Sequence, residues 1–114
     1  MTLPINPALL RATYDFLRAT PPFKSWGLPP GEVVVFRITR SRKTQGDHLL
    51  IDGVHTIRVS SVKVGYTPAL IALMAHEMVH AVCDREGVRS EHGAAFKKRA
   101  AAVCRYHGFD PMEF

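Results

Sequence analysis

His76-Glu77-Met78-Val79-His80 places two imidazoles and a carboxylate within five residues, inside the apolar run LIALMAHEMVHAV. A run of that length and composition reads as a helix, and residues four apart stack on one helical face about one turn from each other. Two imidazoles so placed can grip one metal ion, and Zn²⁺ suits nitrogen donors. The glutamate after the first histidine then lies beside the metal, where it can take a proton from an activated water. That chemistry is zinc-dependent hydrolysis of peptide bonds.

At 100° per residue, Leu70, Ile71, Met74, Ala75, Met78, Ala81 and Val82 cluster on one side of this helix. His76 and His80 fall on another side, beside Ala69, Ala72 and Cys83, whose small side chains leave room. Histidines on a nearly all-apolar helix need partners when buried, and one metal ion serves both. An open catalytic zinc site takes a third protein ligand. His92, in SEHGAAF, falls in the first turn of a second helix with Ser90 as N-cap. If Gly87 ends the first helix and the two pack as a hairpin, His92 lies at the end facing the metal. His107, before Gly108, is the competing candidate. It sits about 22 Å further along the same helix by rise, so both cannot bind one ion. A last-turn position before a C′ glycine gives His107 an ordinary capping role, and His92 is the geometric choice.

HEMVHA, followed twelve residues after His80 by the pair His92-Gly93 and then Phe96, resembles the SprT-like metalloproteases, the group that includes Spartan. The resemblance runs over about residues 31 to 105 in element order. It implies a zincin-like α+β core, with His76, His80 and His92 as ligands of one zinc ion, Glu77 as catalytic base and Phe96 as a packing residue. It also implies DNA-associated protein as the substrate class. Many relatives carry a four-cysteine zinc ribbon. Here only Cys83 and Cys104 occur, spaced unlike a ribbon, so the expectation is a minimal catalytic core forming one domain over residues 1–114.

The elements that must position these groups are legible in outline. Asn6-Pro7 offers an N-cap and first helical residue for a helix over about residues 7–19, with Leu9, Leu10, Thr13, Phe16 and Leu17 as the face covering a sheet. The prolines at 21, 22, 29 and 30 force an irregular crossing anchored by Phe23 and Trp26. Glu32–Arg40 reads as a strand with Val34, Phe36 and Ile38 on one side. His48–Ile51 and Val54–Ser60 flank Asp52-Gly53, a two-residue hairpin signal, with His55, Ile57 and Val59 facing a core. His48 and His55 come close across that hairpin; exposed strand histidines are expected there, with a second metal site as the alternative. Thr67 and Pro68 start the metal helix as N-cap and first residue. The result is an N-terminal helix, a small, mainly antiparallel three-stranded sheet, and two ligand-bearing helices. A substrate can add to an exposed edge of such a sheet by backbone pairing.

The net charge of +5 excludes no class but suggests anionic partners. Arg37, Arg40, Arg42 and Lys43 lie at a strand end and the turn after it, where phosphate contacts are natural; Arg85 and Arg89, and Lys97, Lys98, Arg99 and Arg105, form two further groups. No nucleic-acid-reading motif is present. No apolar run approaches the ~20 residues of a membrane-spanning helix, and the start lacks signal-peptide features, so a cytoplasmic protein with reduced thiols is expected. A phage or mobile-element origin would suit so economical a chain. Tyr66, Tyr106 and His107 are candidate donors to the oxyanion of a tetrahedral intermediate. Two other readings stay open. One is a zinc-stabilised DNA- or protein-binding module that cuts nothing. The other is a repressor-cleaving regulatory zinc peptidase, with Asp84, Glu86 or Glu91 in place of His92.

Overall fold

A computed structural model describes residues 5–88 and 91–114. The proposed N-cap Ser90 and the basic residue Arg89 lie outside them. The first helix, α1 (Pro7–Arg18), begins where Asn6 Oδ1 accepts from the Leu9 amide at 2.8 Å, with Pro7 supplying a preset φ. Its inward stripe is Leu10, Thr13, Tyr14 and Leu17. Phe16, expected on that stripe, is 59% exposed, and Tyr14 takes the buried place instead. Positions 10, 14 and 17 lie within about 60° on a helical wheel, whereas 16 points well away. Tyr14 can be buried because its hydroxyl donates to the Pro29 carbonyl at 2.6 Å while its ring meets Phe36 edge to face.

The crossing from Thr20 to Pro30 is pinned by Phe23, which is fully buried against the edge of Trp26. Trp26 itself is half-buried beneath the Arg99 guanidinium, 4.7 Å above its ring. Strand β1 (Val35–Thr39) is shorter than the sequence suggests, because Gly31–Val33 forms a 3-10 turn ahead of it. Val34, Phe36 and Ile38 do share the inward side.

Strands β2 (Gly46–Ile51) and β3 (Val54–Ser60) form an antiparallel hairpin in which His48 lies opposite Ile57. Its turn residues Asp52 and Gly53 have φ of 51° and 77°, as a two-residue turn matched to strand twist requires. The sheet order is β1-β3-β2, with β1 and β3 parallel. The sheet is therefore mixed rather than mainly antiparallel. Two features account for this: β1 and β2 are joined by a loop too long for a tight hairpin, and β3 carries the most deeply buried inward face. His55, Ile57 and Val59 are all buried, so β3 takes the centre and leaves β2 as an edge.

Helix α2 (Thr67–Arg85) starts at Tyr66 as N-cap, one residue before the expected Thr67. It buries Leu70, Met74, Ala75, Met78, Val79, Ala81 and Val82, so most of its circumference is covered. It ends where Gly87 turns at φ 77° and the Val88 amide returns to the Cys83 carbonyl at 3.0 Å. Helix α3 (Ala94–His107) packs against α2 through Phe96, Val103 and Cys104. Gly93 is its N-cap, so His92 lies two residues ahead of the helix rather than in its first turn. No helix among the described residues is long and apolar enough to cross a membrane.

Candidate metal centre

His76 and His80 stack on one side of α2 with ring centroids 4.9 Å apart, and the turn before α3 brings His92 onto them. His92 Nε2 lies 3.1 Å from His80 Nε2 and 3.4 Å from His76 Nε2. One nitrogen from each of the three falls within 4.8 Å of the others. Two ligands on a tetrahedral zinc with Zn–N near 2.0–2.1 Å stand about 3.3 Å apart, so these spacings fit that ion's donor geometry. Phe96 forms the floor, its ring 5.1, 4.5 and 4.8 Å from those of His76, His80 and His92. That contact gives the buried phenylalanine a stated job: it holds three imidazoles in a fixed cluster.

Charge favours metal binding. Burial, and then the neighbouring imidazole, lower His76 and His80 to about 4, so both are neutral at pH 7 with lone pairs free. Glu77 is 3% exposed and opens onto a cleft of about 810 Å³. Burial pushes its carboxyl up to about 8, with the negative charges of Asp47 and Glu91 adding to the effect. Without a nearby cation it holds its proton at neutral pH.

The cleft is walled by Gln45 and Gly46 at the start of β2, by the first turns of α2 from Tyr66, and by Gly108, Phe109, Asp110, Glu113 and Phe114 beyond α3. Tyr66 thus reaches the cleft. Tyr106 and His107 do not line it. Tyr106 is exposed against His107, and His107 Nε2 pairs with the Thr20 hydroxyl at 3.1 Å. The carboxylates considered as alternative ligands stand outside the cluster. Asp84 is bonded to His48, Glu86 holds Arg99 through both oxygens at 2.9 and 2.7 Å, and Glu91 is exposed. Arg37, Arg40, Arg42 and Lys43 are all exposed, on β1 and the loop leading to Gln45.

Two features escaped the sequence. His48 and His55 are not exposed: the His48 side chain is 0% exposed, with Nδ1 2.9 Å from Asp84 Oδ2 and Nε2 2.8 Å from His55 Nδ1. Asp84 accepts from His48, and the chain of bonds ties the hairpin to α2 one turn beyond His80. Nothing short-range in the sequence links positions 48 and 84. The second is Phe114, whose backbone oxygen meets His76 Nδ1 at 2.5 Å. A backbone acceptor leaves no trace in residue type.

Three converging imidazoles beside a buried carboxylate, on an α+β frame, define a candidate metal centre with an acid–base group at its edge. The chain belongs to the SprT-like family, whose model matches residues 14–111; the family is generally associated with zinc and metallopeptidase activity. Comparison with curated proteins found no match.

Proposed function

We propose that this protein is a zinc-dependent endopeptidase, in a zincin-like catalytic domain, that hydrolyses peptide bonds with Glu77 as general base. The observation that carries this reading is the meeting of His76, His80 and His92 nitrogens beside a carboxylate buried at the cleft wall. These histidines would hold the ion, which when bound supplies Lewis-acid polarisation of the scissile carbonyl and makes water easier to deprotonate.

Glu77, which burial keeps protonated in the empty site, would ionise once those histidines held a cation. Glu77 then accepts the proton of the attacking water and delivers it to the departing amine. Tyr66 lines the same cleft, which supports it as the donor to the oxyanion. Gly46 opens the edge strand β2 at the cleft, where an extended substrate gains affinity through backbone pairing with little sequence preference. The exposed Arg40, Arg42 and Lys43 precede that strand, and with Arg37 they suit contact with DNA phosphates, which favours DNA-associated proteins as substrates.

The test compares wild type with Glu77→Gln, both loaded with zinc, on an unfolded protein such as reduced casein. The variant should keep its zinc and lose on the order of 10²–10⁴-fold in turnover. Unchanged turnover would remove Glu77 from the reaction. Zinc uptake with no cleavage by wild type would make the chain a zinc-stabilised binding module.

A further inference from the structure

The segment after α3 is directed onto the metal centre by a sequence of specific contacts. Gly108 adopts φ 78°, a conformation that L side chains rarely take, and its amide returns to the Cys104 carbonyl at 2.8 Å. Phe109 is thereby turned back, its ring stacked on His107 at 5.5 Å and on Phe114 at 5.8 Å. His107 is itself held by Thr20, so this stack is anchored to the end of α1. A single turn follows. The amides of Glu113 and Phe114 both donate to the Asp110 carbonyl at 3.1 Å, and the Asp110 carboxylate accepts from Met112 N–H at 2.9 Å. Pro111 presets the second position of that turn. The turn delivers the Phe114 backbone oxygen to His76 Nδ1 and its ring to 5.3 Å from the imidazole.

The Phe114 backbone oxygen, as a carbonyl or as a carboxylate, accepts, so His76 carries its proton on Nδ1. Its lone pair is then on Nε2, the nitrogen that points at His92. We propose that the Gly108–Phe114 segment is a built part of the metal centre, with the Phe114 backbone oxygen as the positioning group that fixes His76's tautomer and ring orientation. The inference rests on the metal-centre reading above and extends it to residues 112–114, which lie beyond the stretch matched by the family model. Partners of this kind, on the far nitrogen of a ligand histidine, are worth about 10–100-fold in metal affinity.

The experiment measures Zn²⁺ affinity by competition with a chromophoric chelator, and the His76 imidazole by long-range ¹H–¹⁵N correlation. It compares wild type, a variant lacking Met112–Phe114, Phe114→Tyr and Gly108→Ala. The deletion should bind zinc about 10–100-fold more weakly and lose the slowly exchanging Nδ1–H signal of His76. Phe114→Tyr, which keeps the backbone oxygen and the stacked ring, should retain both. If the deletion does not fold, Gly108→Ala supplies the same comparison, because it redirects the segment without removing it. Affinity within twofold of wild type in the deletion, or in Gly108→Ala where that stands in, overturns the inference. Equal affinity with faster peptide cleavage would make the segment a lid over the cleft instead. A wild-type chain that takes up no zinc overturns the metal reading and this inference together.

Discussion

Replacing Glu77 with glutamine in the metal-free protein is expected to stabilise it, by an amount that grows with pH. The carboxyl is 3% exposed, and burial raises it from 4.5 to about 8. Folding therefore favours the protonated acid. The contribution is present in full below the unfolded value of 4.5 and is lost as pH rises through about 8. At pH 7 the unfolded chain ionises freely while the folded one does not, a penalty of at most about 3 kcal/mol. Water entering the cleft beside Glu77 reduces this, so about 1–3 kcal/mol is the working range. Glutamine keeps the shape and does not titrate. The assay is urea unfolding of both chains in a metal chelator at pH 4.5 and at pH 7.5. The two should differ little at the lower pH, with the variant ahead at the higher one. The histidines titrate in both chains, so their effect largely cancels. A stability difference that is the same at both pH values would refute the argument that burial holds this carboxyl protonated.

Three further outcomes follow from the same geometry. The metal-free Glu77→Gln chain should lose stability as pH falls from 6.5 towards 4, because His76 and His80 resist protonation when folded but not when unfolded; denaturation midpoints that stay level across that window would contradict it. Asp84→Ala leaves the His48 Nδ1–H without its acceptor where the ring is wholly covered, and should cost about 1–3 kcal/mol, with strong coupling to His48→Ala in a double-mutant cycle; additive losses would show that the bond does not tie the hairpin to α2. Gly46→Ala places a methyl 2.5 Å from the Arg58 carbonyl oxygen and 3.1 Å from Leu73 Cδ2, so it should lower stability by about 1–3 kcal/mol and disturb the cleft edge. An unaltered melting temperature would mean that β2 shifts without cost.

What could be read in the sequence was what is local. Asn6-Pro7 starts α1, Asp52-Gly53 makes the hairpin turn, Gly87 ends α2 and Gly108 ends α3, each through backbone chemistry confined to a few residues. The i, i+4 histidines needed only a helix, and the small residues around them left room. Pairing between distant segments was not legible. The parallel alignment of β1 with β3 depends on which strand ends up most deeply buried, which is a property of the whole fold. His48 looked like a surface histidine because its partner, Asp84, is 36 residues away. Tyr14 takes the core place expected of Phe16 because it shares the wheel position of Leu10 and Leu17; the carbonyl that satisfies its hydroxyl lies on a loop whose path no pattern revealed. The Phe114 contact uses a backbone oxygen, for which residue identity carries no signal.

The central claim is that His76, His80 and His92 hold one zinc ion. Elemental mass spectrometry of purified wild type, His92→Ala and His107→Ala, reconstituted with Zn²⁺ and desalted side by side, tests it directly. The expected result is one zinc per chain in wild type and in His107→Ala, because the native His107 imidazole is bonded to Thr20 and stands outside the cluster, and little in His92→Ala. Equal zinc in wild type and His92→Ala, or none in any of them, would contradict the account.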